Sequence, residues 1–157
     1  MDDHRAPLAE PFPLENSFGY LIRSTHRHFQ NYLSLRIRPH GVTLGMWYFL
    51  RVLWEHNGLT QRQLSDQVGT MEPTTLEAIR AMEKRGLVRR ERDPADGRKR
   101  LVFLTEEGEA LRAVLLPIAR EVVDEAAADF STEEREQLRG LLMRMRSRLA
   151  KATAASD

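Results

Sequence analysis

The stretch Asp93-Pro-Ala-Asp-Gly-Arg-Lys-Arg100 (DPADGRKR) carries five charges in eight residues and lies between two short apolar runs, Leu87-Val88 and Leu101-Val-Phe-Leu104. Asp-Gly between such runs is a strong hairpin signal, because aspartate and glycine supply the turn while the flanks alternate as strands do. A hairpin alone has no class. Its neighbours decide what it belongs to, and they are read outward from it.

Upstream, Gly86 offers a left-handed stop followed by apolar Leu87, which closes a helix running from about Glu72 to Arg85. Pro73 suits its first turn, and Leu76, Ile79 and Met82 are expected to face inward. Before it, Thr60-Gln-Arg-Gln63 is a capping box that opens a short helix through Leu64 and Val68, broken at Gly69. Two short helices joined by a tight glycine turn make a helix-turn-helix. Earlier still, Thr43 opens a helix that is apolar nearly all round, LGMWYFLRVLWEH, with Gly58 as its stop; a helix without a polar face is buried. A longer amphipathic helix precedes it, with Phe18, Leu21, Ile22, Thr25, Phe29, Tyr32 and Leu33 on one stripe, ended by Pro39 and Gly41.

Downstream, Thr105-Glu-Glu107 begins a long helix with acids placed well for its dipole. Ser131-Thr-Glu-Glu134 is a second capping box, opening a helix striped with Leu138, Leu141, Leu142, Met145 and Leu149. The expected fold is therefore mainly α with a two-stranded β wing: a winged helix-turn-helix over residues 43–105, an irregular arm over 1–17, and a helical region over 18–42 and 106–152.

Composition narrows the function. The 157 residues are 41% hydrophobic and 30% charged, which suits one globular domain. No cysteine is present, so disulfides, thiolate metal sites, cysteine nucleophiles and thiol redox sensing are excluded. No apolar run is long enough for a membrane span or shaped like a signal peptide, so a cytoplasmic protein is expected. His26 and His28 are two apart and point away from each other on a helix, while His4, His40 and His56 lack local partners; no metal or other cofactor is expected. Neither a phosphate-binding glycine loop nor a nucleophile motif is present, which argues against an enzyme.

Net charge is only +1, but it is unevenly spread. From Asn16 to Trp54 there are five arginines and no acid; from Arg80 to Arg100 there are nine Lys/Arg against four Asp/Glu; from Thr105 to Glu136 there are three basic residues against ten acidic. Asymmetry of this kind points toward a polyanion partner more than the total does, although charged faces are commonly just solvated.

At this point the chain resembles the MarR family of transcriptional regulators. The resemblance is carried by Gly41-Val-Thr-Leu44 with Trp47, Leu59-Thr60 with Leu64, Met82-Glu-Lys-Arg-Gly-Leu-Val88, Asp93-Pro-Ala-Asp-Gly-Arg98 and Val102-Phe-Leu-Thr-Glu-Glu-Gly108. It covers roughly residues 20–150 and implies an obligate homodimer with intertwined first, fifth and sixth helices, binding a pseudo-palindromic DNA operator. The same apolar stripes could instead pack within one monomer.

In such a dimer the recognition helices enter successive major grooves about 34 Å apart. Thr74, Thr75 and Glu77, with Arg80, are the expected base-edge candidates; threonine can bond a base or touch a thymine methyl, and glutamate can accept from cytosine N4. Thr60, Gln61 and Arg62, with Arg80 and Lys84, are phosphate candidates. Relatives commonly carry Ser-Arg where this chain reads Leu76-Glu77, so base contacts do not transfer there; Glu77 could equally pair with Arg80. By resemblance Arg98 enters the minor groove, oriented by Asp96 and accompanied by Lys99. The alternative is a solvated hairpin whose charges deter edge pairing.

The resemblance further implies a small aromatic or anionic effector, such as a phenolic acid or its coenzyme A thioester, bound between the dimer helices and the winged domain. Phe18, Tyr20, Arg23, His26, Phe29, Tyr32, Trp47 and Tyr48 are the candidate lining, against the plainer possibility that the aromatics are core and Arg23 is solvated. A winged-helix regulator without an effector, controlled by its abundance or by a protein partner, is the other reading. An enzyme of small aromatics and a purely structural dimerisation module are weaker ones.

Overall fold

The computed structural model describes residues 10–156. The first nine residues of the expected arm lie outside these, and the rest of it holds one 3-10 turn, Leu14–Asn16. The elements are α1 (Phe18–Ile37), α2 (Leu44–Leu53), β1 (Leu59–Thr60), α3 (Gln61–Val68), α4 (Glu72–Lys84), β2 (Val88–Arg92), β3 (Arg100–Leu104), α5 (Glu106–Ala126) and α6 (Thr132–Ala154). They form two compact units, one up to Ala119 and one from Arg120 onward.

Helix starts follow from short-range hydrogen bonds. Thr43 Oγ1 accepts from the Met46 N–H at 3.3 Å and starts α2. Both predicted capping boxes form, Thr60 with Gln63 at α3 and Ser131 with Glu134 at α6. Each satisfies donors that the first turn leaves unpaired. On the first turn of α6, Glu133 is held below the ordinary carboxylate pKa, first by a backbone N–H and then by the Ser131 hydroxyl. The left-handed glycines Gly69 and Gly86 end α3 and the turn after α4, at φ 74 and 71°.

The core of the first unit is built around α2, whose Met46, Trp47, Phe49, Leu50 and Leu53 are buried. They pack with Leu64, Ile79, Met82, Leu87, Val88, Val102, Leu104 and Leu115. Each fully buried side chain of this size contributes about 1.5–3 kcal/mol. Trp47 meets Trp54 edge-on with ring centroids 5.9 Å apart, and Trp54 Nε1 donates to the Gly108 carbonyl at 3.0 Å. In the second unit Arg135 ties the end of α5 to α6, donating to Asp124 at 2.9 Å and to the Ala127 carbonyl at 2.7 Å.

Two local expectations are corrected. The expected two-stranded wing forms from β2 and β3, and a third short strand joins it, in the order β1-β3-β2. The extra strand pairs Leu59 with Val102 and Thr60 with Leu101, and Asn57 Oδ1 accepts from the Leu104 N–H at 2.9 Å beside it. Gly58 therefore does not stop α2, which ends at Leu53. It leads into β1 at φ 81°, where a side chain would strike the Phe103 ring.

The hairpin tip is also not a two-residue turn. The segment 93–99 is a longer loop closed by Asp93 N–H donating to the Lys99 carbonyl at 3.0 Å. Its turn, Asp96 to Lys99, is pinned by Lys99 N–H donating to the Asp96 carbonyl at 2.9 Å. Gly97 is absent from the glycines with positive φ, so the turn does not use glycine's left-handed freedom.

Candidate nucleic-acid interface

The outward face of α4 is set by its burial pattern. Thr75, Ile79 and Met82 point into the core at i, i+4 and i+7, and Leu76 is only half-buried. The opposite face presents Thr74, Glu77, Arg80 and Lys84, all exposed. None of the three charged residues makes an ion pair among the described residues, so Glu77 does not pair with Arg80. This face offers a hydroxyl, a free carboxylate and two free cations along one strip of helix.

Thr75 does not belong to that strip. It is fully buried, and its Oγ1 lies 2.7 Å from Ser65 Oγ on α3 and 3.3 Å from the Met71 carbonyl. The expected base contact by Thr75 is corrected to a link between the two helices. Ser65 also donates to the Gln61 carbonyl at 2.9 Å, and Gln61 Nε2 reaches the Glu72 carbonyl at 3.3 Å. The pitch of the recognition helix is thus held by polar groups of α3. Ser65 was not foreseen, since its partner comes from a different helix and no local spacing marks it.

The three phosphate candidates at the start of α3 differ. Arg62 is exposed and makes no ion pair among the described residues. Gln61 keeps one amide hydrogen beyond its bond to Glu72. Thr60 has its single O–H directed at Gln63 Oε1, 3.0 Å away, so it has no donor left for a phosphate; this expectation is corrected.

At the wing, Asp96 Oδ1 accepts from both the backbone N–H of Arg98 at 3.1 Å and its Nε at 3.3 Å. Lys99 Nζ stands 3.9 Å from Asp96 Oδ2. Asp93 Oδ1 likewise accepts from Ala95 N–H at 2.8 Å. The tip is therefore stiffened from inside by two aspartates, while the Arg98 side chain remains 93% exposed. Behind it, Arg90 of β2 pairs with Glu83 of α4 at 2.8 Å and ties the wing to the recognition helix.

The expected effector residues differ in their surroundings. Trp47 is core, with Arg51 over its ring, and is corrected from the lining set. Tyr48 is half-buried and accepts from Gln30 Nε2 at 3.2 Å. Tyr32 engages Arg36, whose Nη1 donates to its hydroxyl at 3.3 Å. Phe18 and His26 are exposed and Phe29 is half-buried. Tyr20 and Arg23 line a surface cleft of about 310 Å³ with Ser24 and Arg27. Arg27 follows Arg23 by one helical turn, a spacing that could have signalled it. Among the described residues no group of three or more His, Cys, Asp or Glu side chains is placed to hold a metal, and no helix is long and apolar enough to cross a membrane.

Comparison with known proteins sets this geometry in a family. The MarR family model matches residues 42–99, from the start of α2 to the wing. The transcriptional regulator HosA of Escherichia coli O111:H- is 38% identical over 104 residues, spanning 66% of this chain and 77% of HosA. The chain belongs to the MarR family. A MarR transcriptional regulator from Methanosarcina mazei Go1 superposes with a TM-score of 0.80 at 31% identity, covering 85% of this chain and 90% of that one. MepR of S. aureus, solved as a DNA complex, superposes with a TM-score of 0.76 at 26% identity over 83% and 97% of the two chains. Among MarR-family chains, then, this one carries a winged helix-turn-helix regulator fold, and the family's work is transcription regulation rather than catalysis.

Proposed function

We propose that this MarR-family chain is a homodimeric regulator that binds a pseudo-palindromic operator and leaves it when a small aromatic or anionic effector binds. The observation that carries the DNA reading is the pairing of two features on one unit. The unpaired strip Thr74, Glu77, Arg80 and Lys84 suits a major groove, and the stiffened wing holds Arg98 clear of the protein for a minor groove. Narrow A·T-rich minor grooves concentrate negative potential and favour arginine there.

Dimerisation through α1, α5 and α6 is supported by the apolar side chains those helices leave uncovered. An anionic effector is supported by the two arginines and one tyrosine of the α1 cleft. A ligand need only favour a dimer geometry whose recognition helices no longer match the groove spacing.

Selection of duplexes from a random library, followed by titration, tests the core of the reading. A palindromic consensus bound with steep salt dependence is expected; retention of no sequence above competitor DNA would sink it. Phenolic acids and their coenzyme A thioesters are then titrated into the complex. Release by one of them, weakened in Arg23→Ala, supports the effector. A panel without effect favours control by abundance or a protein partner.

A further inference from the structure

The wing carries a charge arrangement that its own stability does not explain. In the β2–β3 ladder Arg92 stands directly opposite Arg100. Directly opposed residues of an antiparallel pair lie on the same face with their Cβ atoms about 5 Å apart, and like charges there are destabilising. Both arginines are exposed, and neither has an ion pair or side-chain hydrogen bond among the described residues. Neighbouring positions behave differently: Arg89 is bonded to Glu91 and to the Leu104 carbonyl, and Arg90 to Glu83.

The side of the sheet on which the pair stands follows from strand alternation. Residues two apart share a face. Val88 and Leu104, the pair at the other end of the ladder, are buried in the core, and Arg90 on the same face reaches Glu83 of α4. Arg92 and Arg100 are the next rung on that face, so they stand on the recognition-helix side of the wing, between α4 and the Arg98 tip. A duplex that receives α4 in its major groove and Arg98 in the adjacent minor groove must pass the sugar-phosphate strand dividing the two grooves across this rung.

We infer that Arg92 and Arg100 form a two-pronged clamp on that intervening phosphodiester strand. The inference rests on the DNA-binding reading above and adds to it a site that reads backbone rather than bases. Two guanidinium groups without protein acceptors present several N–H donors to non-bridging phosphate oxygens, and the phosphate charge relieves their mutual repulsion. The repulsion in the free protein becomes a preference for the bound state.

The test compares the wild-type chain with Arg92→Gln, Arg100→Gln and the double variant, using Arg98→Gln as a reference. Binding is titrated against salt on two mixed-sequence duplexes of about 30 base pairs, three helical turns, one A·T-rich and one G·C-rich. Each clamp variant removes one contact per protomer, two per dimer, and is expected to lower the salt slope by about 1.8 and affinity by roughly 30-fold at 0.15 M salt, one released counterion per contact. The loss should be equal on both duplexes, with the double variant losing about twice the slope. Arg98→Gln should lose more on the A·T-rich duplex. The melting temperature of each free clamp variant should be unchanged or raised, because a like-charge rung is relieved.

A wild-type salt slope in both single variants would overturn the clamp, as would a lowered melting temperature, which would make the pair structural. Wild-type protein that binds neither duplex would instead refute the DNA-binding reading itself, a distinguishable failure.

Discussion

Thr74 and Thr75 are chemically identical neighbours with opposite surroundings, and one helical step of 100° separates them. On a helix with 100° per residue, Thr75 falls between Ile79 and Met82, so the expected inward stripe of Leu76, Ile79 and Met82 already carries Thr75 inward, and the buried residues are Thr75, Ile79 and Met82. The hydroxyl that this buries finds its partner in the Ser65 hydroxyl on α3. Replacing Thr75 by valine keeps the shape and removes one buried hydrogen bond, a loss of about 0.5–1.5 kcal/mol. Ser65→Ala alone should cost a similar amount, and a double-mutant cycle in urea melts should give a coupling energy of at least about 0.5 kcal/mol. Strict additivity would show that the two hydroxyls do not act together. Glu77 poses the reverse problem, since its exposure is plain but its duty is not. With no ion pair among the described residues, its charge repels the phosphate backbone, and Glu77→Ala should strengthen binding to mixed-sequence DNA by up to about 1 kcal/mol. If its carboxylate accepts from a cytosine, the same variant loses roughly 1–3 kcal/mol of preference at one base pair. We expect both effects; an unchanged preference profile from duplex selection would remove Glu77 from base reading.

At the scale of elements, what could be read in advance was what neighbours along the chain determine. The two capping boxes and the glycine stops at Gly69 and Gly86 depend on residues three or four apart, and they appear where their residues stand. Strand β1 escaped notice because two residues have no periodicity, and its partner lies more than forty residues on. The junction of β3 and α5 gives the Leu104-Thr-Glu-Glu-Gly108 stretch a physical reason. Thr105 Oγ1 donates to the Gly86 carbonyl at 2.6 Å and accepts from the Gly108 N–H at 3.1 Å, while Thr105 N–H donates to the Leu87 carbonyl at 3.0 Å. Gly108 is buried against that same Leu87 carbonyl, and a Cβ there would collide with it. The carbonyl cannot swing aside without breaking its bond to Thr105, and the Gly108 carbonyl itself holds Trp54. Gly108→Ala should therefore destabilise by roughly 1–3 kcal/mol, the usual cost of overpacking, visible as a lower urea midpoint at unchanged m-value. A midpoint equal to wild type would mean that the junction relaxes freely and that the glycine is not required by packing.

At the scale of the whole molecule, apolar stripes were visible in the sequence but not what covers them. On α1, Phe18, Leu21 and Ile22 are 67, 41 and 43% exposed; on α6, Leu138, Leu141, Leu142 and Leu149 are 44, 47, 43 and 62% exposed. Soluble monomers rarely leave contiguous stripes of this kind in water, whereas a second copy of the chain would bury them. The same pairing would present two recognition helices together, so that the second half-site is met at a high effective concentration. Leu142→Asp separates these roles, because an exposed position on α6 can accept a carboxylate without disturbing the core of either unit. The wild-type chain should sediment as a dimer at micromolar concentration, with a melting temperature that rises with protein concentration, as mass action requires. Leu142→Asp should sediment as a monomer, lose the concentration dependence, and bind a palindromic duplex at least about 100-fold more weakly while binding a single half-site as before. A wild-type chain that sediments as a monomer with a concentration-independent melting temperature would break the argument at its base, for the uncovered stripes would then need some other partner and a palindrome would have no symmetric reader.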